Sequence, residues 1–429
     1  MSNSLIAYID GVRVGVVEQT SGGQLTFTYD DTYSPASTPL SVAMPIVPGA
    51  VYKHRIVAPF LQGLLPDNNE TLEAIARNHH TSARNPFALL RHVGEDTAGA
   101  LQLLPPDEPA GDAEQQSGDI EFFSDDDFED LIDGIVEDAG AWQRRRDDIR
   151  WSLAGAQPKV ALYREEATGQ WGLPRDATPT TYILKPAGPD SRHDVNEFLT
   201  MRAARNLGLD VADHEVMRTR RGHHVFVSRR YDRVVGDGGR LHRVHQEDFA
   251  QALSVDPARK YQSDGGPGVA EFARVLLALS PSVVQDATLR LFEGLVYSIA
   301  SVNTDAHAKN YSLLHPGRRT RLAPLYDLGS NVLYDGAQPL ESAVSIGGQR
   351  RMNRIGMPEF VKTARLLRID AHRATEIVDR IRGGVAGAFA SALAELEADD
   401  PGRAHAASVA NGVSAMAAER GWSDAGNQR

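Results

Sequence analysis

The amino-acid sequence predicts an α+β protein in which a β-rich N-terminal part, an α/β layer and a mainly helical C-terminal part follow one another. In the first part, two β-forming runs within 4–17 flank the turn-forming pair Asp10-Gly11, which is a strong hairpin signal. Strand-like and helical patterns then alternate between about 121 and 233, which is typical of an α/β layer. From about 246 onward the apolar residues recur mostly at helical spacing, so the last part is predicted to be helical.

The N-terminal unit is predicted to cover 1–104. Residues 25–29 alternate Leu, Phe and Tyr with Thr, a pattern that predicts a further strand after the hairpin. Helical patterns follow at 58–64, 70–78 and 86–92. The stretch 105–120 then carries turn-forming residues without an apolar period, which predicts a loop or linker.

The second predicted part covers 105–233. Its first regular element is an acidic helix within 124–138, because apolar residues recur there at helical spacing, namely Phe128, Leu131, Ile132 and Ile135. The patterns that follow predict strands at 159–163, 181–185 and 224–228. They also predict a helix at 195–208.

The third predicted part covers 234–429 and is mainly helical. Two helix faces are predicted, one formed by Phe272, Val275, Leu276 and Leu279 and the other by Leu289, Phe292, Val296 and Ile299. The segment from about 400 is rich in Ala, Gly and polar residues, and we expect it to be poorly ordered toward its end.

Composition limits the classes of protein that fit. The chain has 429 residues, enough for two or three compact units, and 41% of them are hydrophobic. No run of 18 apolar residues occurs and the start lacks the features of a secretion signal, so we expect neither a transmembrane helix nor export. The absence of cysteine excludes disulfides, thiolate zinc sites and cysteine nucleophiles, and it fits the cytoplasmic location that we expect. The net charge of −12 argues against broad nucleic-acid binding, while leaving room for a local basic patch at the arginines 144–146.

A dense polar stretch, Asn-Thr-Asp-Ala-His-Ala-Lys-Asn at 303–310, directly follows a predicted buried helix. An apolar strand at 311–314, a turn at 315–320 and a second strand at 322–326 come next, and Asp-Leu-Gly follows at 327–329. The order is therefore a polar loop, a short hairpin and an Asp-x-Gly sequence.

Phosphoryl transfer requires this set of residues. One carboxylate must accept or orient the attacking hydroxyl, and an Asn oxygen with a second carboxylate must hold the Mg²⁺ that bridges the phosphates. In protein kinases the base Asp precedes the metal-binding Asn by five residues, and Asp305 and Asn310 keep that interval. His307 follows the base instead of preceding it, so the loop is not that of an ordinary eukaryotic-type kinase. A capped, solvated loop with Asp327 at a turn would explain each residue singly, but not the whole order.

The nucleotide side of such a site has weaker signals. Lys185 ends an apolar strand, and Glu197 lies on the helix that begins near Asp194, so the two could form the strand–helix Lys–Glu pair of kinases. The stretch 194–197 fits a capping box with Asp194 as N-cap equally well, and both roles stay open. The small residues within 152–159, Ser-Leu-Ala-Gly-Ala-Gln-Pro-Lys, would let backbone N–H groups approach phosphates, although the spacing is not that of a Walker A loop. The glycine-rich stretch 263–268 is predicted to be a plain turn.

Together these motifs resemble the HipA family of serine/threonine kinase toxins of HipBA toxin–antitoxin systems. The resemblance covers roughly 5–390 and rests on several long motifs in the same order, at 63–68, 93–102, 152–159, 260–268, 303–310 and 324–328. It implies a two-lobed, protein-kinase-like fold. In that fold 1–104 is the coupling unit, 105–233 is the N-lobe with the phosphate loop, and 234–429 is the helical C-lobe with the catalytic loop.

The resemblance also implies a role for each matching residue. Asp305 would be the catalytic base, and Asn310 and Asp327 would bind Mg²⁺. Ser152 would be the autophosphorylation site whose modification moves the phosphate loop and inactivates the enzyme. Inactivation is the expected direction, because a phosphoserine adds negative charge near the ATP phosphates. The implied ATP-binding residues, with 229–231 at the adenine hinge, are Ala154, Gly155, Ala156, Gln157, Lys159, Lys185, Arg229, Tyr231, His307, Lys309, Asn310, Tyr326 and Asp327.

Three positions depart from the family pattern. Pro158 stands where an acidic residue is common, and Ala306 stands where a glycine often occurs. Arg229 replaces a glutamate at the hinge, which puts side-chain contacts there in doubt but not backbone contacts. The positions implied for catalysis and metal binding are unchanged.

The resemblance implies partners as well as activity. These are a HipB-like helix-turn-helix antitoxin, operator DNA mainly through that antitoxin, and a protein substrate such as an aminoacyl-tRNA synthetase, with no membrane. Two alternatives stay open from the sequence. One is an antitoxin-bound transcriptional co-repressor with little kinase activity, and the other is a small-molecule kinase.

Overall fold

The computed structural model describes residues 3–107, 113, 116–137, 151–155, 157–188, 192–317, 319–333 and 339–422. The chain divides into two compact units, each built from three separate segments. The first unit comprises Met1–Gly188, Arg218–Ala258 and Leu313–Thr320, and the second comprises Pro189–Met217, Arg259–Ser312 and Arg321–Arg429. The three-part domain division inferred from the sequence stays a prediction.

The strands in chain order are β1 (Ser4–Ile9), β2 (Val12–Gln19), β3 (Leu25–Tyr29), β4 (Val51–Lys53), β5 (Leu101–Leu104), β6 (Ile120–Phe122), β7 (Val160–Arg164), β8 (Trp171–Pro174), β9 (Tyr182–Pro186), β10 (His214–Arg218), β11 (His224–Arg229), β12 (Arg233–Val235), β13 (Leu241–Arg243), β14 (His245–Asp248), β15 (Ser312–His315), β16 (Arg321–Leu322), β17 (Glu341–Ile346) and β18 (Gln349–Arg351). The α-helices are α1 (His54–Gly63), α2 (Asn69–Asn78), α3 (Pro86–Val93), α4 (Asp125–Glu137), α5 (His193–Asn206), α6 (Phe249–Ala252), α7 (Val269–Leu277), α8 (Pro281–Ala300), α9 (Met357–Leu366), α10 (Ala371–Ala394) and α11 (Arg403–Glu419).

The N-terminal sheet of the first unit has the strand order β4-β3-β2-β1-β5, and its neighbours are antiparallel. The predicted hairpin is confirmed, because Asp10 (φ 49°) and Gly11 (φ 78°) both take the left-handed conformation that a two-residue hairpin turn requires. The predicted strand at 25–29 and the three predicted helices are confirmed as β3 and α1–α3. Asn68 and Asn85 cap α2 and α3, because their side-chain oxygens accept from backbone N–H groups in the first turns.

A second sheet in the first unit contains β11, β9, β7, β8 and β6 in that order. The predicted strands at 159–163, 181–185 and 224–228 are confirmed as β7, β9 and β11, and the acidic helix is confirmed as α4. The sequence pattern did not reveal β8, a four-residue strand that pairs with both β7 and β6. The backbone N–H groups of Arg220 and Arg221 donate to the buried carboxylate of Glu129 on α4, so the acidic helix is attached to the turn between β10 and β11.

A buried ion network joins distant parts of the first unit. The carboxylate of Asp96 lies 2.7 Å from Arg233 Nη2, 3.1 Å from Arg243 Nε and 3.4 Å from Arg230 Nη1. It also accepts from the hydroxyl of Thr180 at 2.7 Å. Burial acts to raise the pKa of Asp96, but the guanidinium groups of Arg233, Arg243 and Arg230 hold that pKa far below its ordinary value. A charge this deeply buried persists only when it is paired in this way.

The second unit is mainly helical and is organised around α8. Helix α5 packs on α10, which in turn contacts α8, α9 and α11. The buried Tyr297 on α8 donates its hydroxyl to Thr200 O at 2.6 Å, which ties α8 to α5. Arg290 Nη1 donates to Leu322 O at 3.0 Å, which fixes the segment before Asp327 against the same helix.

Two sequence expectations need correction in the second unit. Asp194 is not an N-cap: α5 begins at His193, and its N-cap is Arg192 in the left-handed conformation without a side-chain cap. The strand predicted at 322–326 is only the two-residue β16, because Leu325 instead bridges to Val211. The segment after 400 forms α11 as far as Glu419, and its buried Ala and Val residues pack on α10. The expectation of poor order concerns the end of this segment, and residues 423–429, like the arginines 144–146, lie outside the described residues.

Within the described residues, no helix combines the length and the apolar character that crossing a membrane requires.

The ion network predicts a large effect of Asp96→Asn on stability. The substitution keeps the size of the side chain but leaves the buried Arg230, Arg233 and Arg243 with less counter-charge, so we expect a loss of about 3–5 kcal/mol in the free energy of unfolding. Denaturant unfolding of the full chain measures it. The matched control is Asp30→Asn, which removes the partly exposed pair between Asp30 and Arg13 and should cost less than about 1 kcal/mol.

The same network predicts a defined acid limb. Because the pKa of Asp96 is depressed in the folded chain, its stabilisation is present above the unfolded value near 3.9 and is lost as the pH falls below about 4 toward the folded pKa. The wild-type chain should therefore lose stability over that window relative to Asp96→Asn. Parallel pH dependence of the two proteins below pH 4 would contradict the ion-pair account.

Candidate active site

The polar loop 303–310 begins where α8 ends in a strained turn. Val302 takes the left-handed conformation (φ 58°), which is rare for a β-branched residue. The turn is held on both sides, because Asn303 N donates to Ser298 O at 2.8 Å and Asn331 N donates to Val302 O at 2.9 Å. A strained residue that its surroundings hold in place is a frequent feature of functional sites.

Asp305 has a fixed backbone and an accessible carboxylate. Its N–H donates to Asn303 Oδ1 at 2.9 Å, and its carbonyl oxygen accepts from His307 N at 2.8 Å and from Asn310 Nδ2 at 2.7 Å. Its side chain is 52% exposed, so a hydroxyl from solvent or from another molecule can reach it. Tyr261, which the sequence reasoning left without a role, donates its hydroxyl to Asp305 Oδ1. These features suit a general base, which must meet the proton that it accepts within hydrogen-bonding distance.

The residues after Asp305 turn inward. His307, Lys309 and Asn310 are all buried, and the Nδ1 atom of His307 accepts from Lys309 N at 3.3 Å at the start of the 3₁₀ turn Ala308–Asn310. A buried ammonium and imidazole close to a carboxylate base are chemically suited to a polyanionic ligand such as a nucleotide triphosphate.

A tyrosine hydroxyl joins this loop to Asp327. Tyr326 donates its hydroxyl to Lys309 O at 2.6 Å. The hydroxyl oxygen of Tyr326 also lies 2.7 Å from Ser312 Oγ. Asn310 and Asp327 therefore each lie one residue away from the same hydrogen bond. Asp327 itself takes the left-handed conformation (φ 56°), which Asp tolerates better than most residues.

Helix α5 holds the other side of the Asp327 segment. Asn196 Nδ2 donates to Ser330 O at 2.8 Å, and Asn196 Oδ1 accepts from Ser330 N at 2.9 Å. The hydroxyl of Ser330 donates to Ser301 O at 2.7 Å, so the segment is also attached to the end of α8. Sequence reasoning missed Asn196, because the pattern at 194–197 was explained as a helix cap.

The oxygen atoms of Asn310 and Asp327 fit a magnesium ion. Amide and carboxylate oxygens are the ligands that this hard cation prefers, and it is commonly bound by one or two protein side chains together with substrate phosphates. The amide nitrogen of Asn310 is engaged with Asp305 O, which leaves the amide oxygen as the atom for a cation. Among the described residues there is no group of three or more His, Asp or Glu side chains that could hold a metal ion without such phosphates.

The predicted phosphate loop, 152–159, lies in the first unit and is attached to the N-terminal residues by its backbone. Gly155 forms a parallel bridge with Pro66, and Trp151 forms one with Asp96. Gly155 has φ 108°, and a Cβ atom there would lie 2.3 Å from Lys159 Nζ, so the position favours glycine. Lys159 Nζ donates to Ala154 O at 2.6 Å, which closes the loop around Gln157. Ala156 lies outside the described residues.

Ser152 is buried at the base of this loop. Its hydroxyl donates to Leu64 O at 2.8 Å, its N–H donates to Asp96 O at 3.0 Å, and only 1% of the residue is exposed. A phosphate on this hydroxyl does not fit these surroundings, so modification requires that the loop leave this position.

The remaining predicted nucleotide residues lie on the second sheet of the first unit or directly after it. Lys185 on β9 pairs with Phe226 on β11, and its Nζ lies 5.6 Å from the centre of that ring. Arg229 ends β11 and is exposed, and Tyr231 follows it two residues later. Between them, Arg230 is held in the buried ion network, which fixes the backbone of the predicted hinge.

The structure thus assembles the predicted site residues in two groups. The second unit brings together Asp305, His307, Lys309, Asn310, Tyr326 and Asp327. The first unit carries Ser152, Ala154, Gly155, Gln157, Lys159, Lys185, Arg229 and Tyr231. Lys185 and Glu197 belong to different units, and their pairing stays a prediction.

Comparison with known proteins now gives the family. The profile of the HipA-like C-terminal domain matches residues 151–389, and the profile of the HipA N-terminal domain matches residues 5–104. The chain belongs to the HipA family. The two matched ranges contain every predicted site residue, including the complete polar loop 303–310.

Individual relatives agree with this assignment to the HipA family. A protein of Sinorhizobium fredii named "Putative kinase Y4mE" is 36% identical over 395 residues, which are 88% of this chain and 90% of that protein. The serine/threonine-protein kinase toxin HipA of Shewanella oneidensis is 30% identical over 320 residues, which are 72% of this chain and 70% of that toxin. These names support kinase activity and, with it, the use of ATP.

The fold is also that of HipA. A structure of HipA from Shewanella oneidensis MR-1, determined with HipB and operator DNA, superimposes with a TM-score of 0.81 at 23% identity and covers 97% of each chain. The predicted α+β, protein-kinase-like fold class is therefore confirmed.

The contacts of Asn196 predict that Asn196→Ala loosens the segment that carries Asp327. The substitution leaves the buried N–H and C=O groups of Ser330 without their side-chain partner, which costs about 1–3 kcal/mol for each unsatisfied group. Amide hydrogen exchange at 325–332 should accelerate. Asn206→Ala on the same helix is the control, because it removes a longer bond to Ala388 O and should leave that exchange unchanged. Equal exchange in Asn196→Ala and wild type would contradict the role of Asn196.

Proposed function

We propose that this chain is an ATP-dependent serine/threonine protein kinase that acts as the toxin of a toxin–antitoxin pair. The arrangement of the loop 303–310 carries the proposal. In it an accessible carboxylate on Asp305 has a fixed backbone, and the same loop supplies Asn310, which is linked through Lys309 and Tyr326 to Asp327. Family membership and the kinase names of the relatives support it independently.

In the proposed reaction Asp305 accepts the proton of a serine or threonine hydroxyl on the protein substrate. As that proton leaves, the hydroxyl oxygen forms a bond to the γ-phosphorus of ATP, and the bond from that phosphorus to the β–γ bridging oxygen breaks, so that ADP leaves. Asn310 and Asp327 would hold Mg²⁺, whose chemistry is to neutralise the charge that develops on the phosphate oxygens. Lys309 and His307 would supply positive or hydrogen-bonding groups to the phosphates, and Lys185 stays a phosphate contact that the family resemblance implies.

In this proposal two segments of the first unit bind the nucleotide, namely 152–159 and 229–231. The backbone of 152–159 covers the phosphates, with Ala154, Gly155, Ala156, Gln157 and Lys159 as the contributing residues. The backbone of 229–231 receives the adenine at the hinge. Arg229 contributes no side-chain contact to the base in this scheme, since it is exposed and its guanidinium lies 4.0 Å from Glu166. Tyr326 borders the nucleotide beside Asp327.

Autophosphorylation of Ser152 would switch the enzyme off. The hydroxyl is buried and bonded to Leu64 O, so a phosphate there keeps the loop from returning to the arrangement in which Gly155 pairs with Pro66. The added charge of about −2 would also repel the ATP phosphates.

The proposed partners follow from the relatives. The structure of the Shewanella HipA contains HipB and operator DNA, so we propose a HipB-like helix-turn-helix antitoxin for this chain and DNA contact mainly through that antitoxin. The proposed substrate is a cytoplasmic protein, with an aminoacyl-tRNA synthetase as the first candidate because its phosphorylation would halt translation. The same complex favours a second candidate function, that of an antitoxin-bound transcriptional co-repressor.

The kinase proposal predicts that the full chain, purified after phosphatase treatment, incorporates labelled phosphate from ATP and Mg²⁺ at Ser152. Asp305→Ala should lower the rate by about 10²–10⁴-fold, because it removes the general base. Ser152→Ala should remove the label, whereas Ser34→Ala, at an exposed serine of the same unit, should not. Mass spectrometry locates the label, and its absence from the phosphatase-treated wild type would refute the kinase proposal.

Expression of the chain without an antitoxin is predicted to arrest growth through its catalytic activity. Asp305→Ala should relieve the arrest, because the general base is lost, while Asp237→Ala at an exposed turn should arrest growth like the wild type. Growth curves at matched expression measure this. Arrest by Asp305→Ala at wild-type strength would favour the co-repressor function over the kinase.

A further inference from the structure

The glycine-rich segment 260–268 has no part in the reaction as proposed, yet its backbone takes a conformation that requires glycine at defined positions. Gln262–Asp264 forms a 3₁₀ turn that ends at Gly265 in the left-handed conformation (φ 80°). Gly266 then donates its N–H to Tyr261 O at 2.9 Å. A Cβ atom on Gly266 would lie 2.0 Å from Arg259 O and 2.6 Å from Tyr261 O, so only glycine allows this backbone to close beneath Tyr261.

Two other parts of the same chain hold this segment. The side-chain oxygen of Gln262 accepts from Ser345 N at 2.5 Å, and Lys260 O accepts from Ala308 N of the catalytic loop at 3.4 Å. The residues on both sides of Tyr261 are therefore held by hydrogen bonds, and so is its own carbonyl oxygen.

Tyr261 uses this position to contact the catalytic loop twice. Its ring meets the ring of His307 edge to face, with centroids 4.8 Å apart and an interplanar angle of 87°. Its hydroxyl donates to Asp305 Oδ1, and His307 Nε2 lies 3.7 Å from the same oxygen. The contacts of Asn303 and Asn310 go to the backbone N–H and C=O groups of Asp305, whereas the contact of Tyr261 goes to its carboxylate.

We propose that Tyr261 is a positioning residue that holds the Asp305 carboxylate in the orientation from which it receives the proton of the substrate hydroxyl. The Asp305 side chain is 52% exposed, and a hydrogen bond to one of its carboxylate oxygens limits its rotation. Because proton transfer depends on the placement of the base within a fraction of an ångström, a displacement of about 1 Å can cost about 10²-fold in rate. The inference rests on the proposed kinase function and assigns a role to the backbone geometry of 260–268, which holds Tyr261 in place.

The test is Tyr261→Phe in the full chain, which keeps the ring contact with His307 and removes only the hydroxyl. We expect kcat for phosphate transfer to protein to fall about 10- to 100-fold, which is the range for one hydrogen bond to a charged group, while KM for ATP stays within about twofold. A merely structural role would lower the melting temperature and change both constants together. Tyr33→Phe removes a hydroxyl that donates to Thr38 O and should leave kcat and KM unchanged.

A double-mutant cycle with Asp305→Asn makes the test specific. If Tyr261 acts through the Asp305 carboxylate, adding Tyr261→Phe to Asp305→Asn should cost no further rate. The denaturation midpoints of the same four proteins should be non-additive as well, and this second measurement needs no activity. Gly266→Ala should reproduce the fall in kcat with the hydroxyl present, because it displaces the backbone beneath Tyr261.

Four outcomes would overturn the inference: kcat of Tyr261→Phe within twofold of wild type, multiplicative rate losses in the cycle, additive midpoints, or phosphate found on Tyr261 itself, which would make its hydroxyl an acceptor. Failure of the proposed function has a different signature. In that case the wild-type chain transfers no phosphate at all, whereas failure of this inference alone leaves an active wild type and an equally active Tyr261→Phe.

Discussion

The buried carboxylate of Asp96 is the interaction on which the first unit depends. It lies among Arg230, Arg233 and Arg243, and a second buried carboxylate, Asp232, pairs with Arg230 and Arg233. Because charges of this kind are stable in the interior only as a complete set, the segments around 96, 180, 230 and 243 must come together for any of them to be buried. The carbonyl oxygen of Asp96 also accepts from the N–H of Ser152, so the base of the predicted phosphate loop is attached to the same residue.

The second unit depends on hydrogen bonds to backbone atoms. Asn303, Asn310, Tyr326 and Asn196 each bind a peptide group of the loop 303–310 or of the Asp327 segment. Such bonds fix the backbone of the loop without using the side chain of Asp305. The Asp305 side chain therefore stays accessible on a fixed backbone, and Tyr261 donates a hydrogen bond to its carboxylate.

Many elements could be predicted from the sequence because their signals are local. The pair Asp10-Gly11 needs positive φ angles and gives the hairpin, and apolar residues at helical spacing give α4, α7 and α8. Where a signal is shared by two structures, prediction fails. The stretch 194–197 matches a capping box, yet Arg192 is the cap and Asn196 faces the Asp327 segment, because its buried contacts with Ser330 outweigh the local preference. The strand expected at 322–326 stops after Leu322, since Leu325 pairs with Val211 instead.

The sequence by itself determined the α+β class and the order of the motifs, because residue type and spacing are local signals. The resemblance that those motifs carry predicted the residues of the candidate site. Only the tertiary structure decided which other groups hold those residues in place. Asp96, Asn196 and Tyr261 lie far along the chain from the residues that they hold, and no local pattern announces a contact across 44 residues such as that between Tyr261 and Asp305. Supporting contacts of this kind arise from the packing of distant segments, and a spacing rule cannot contain them.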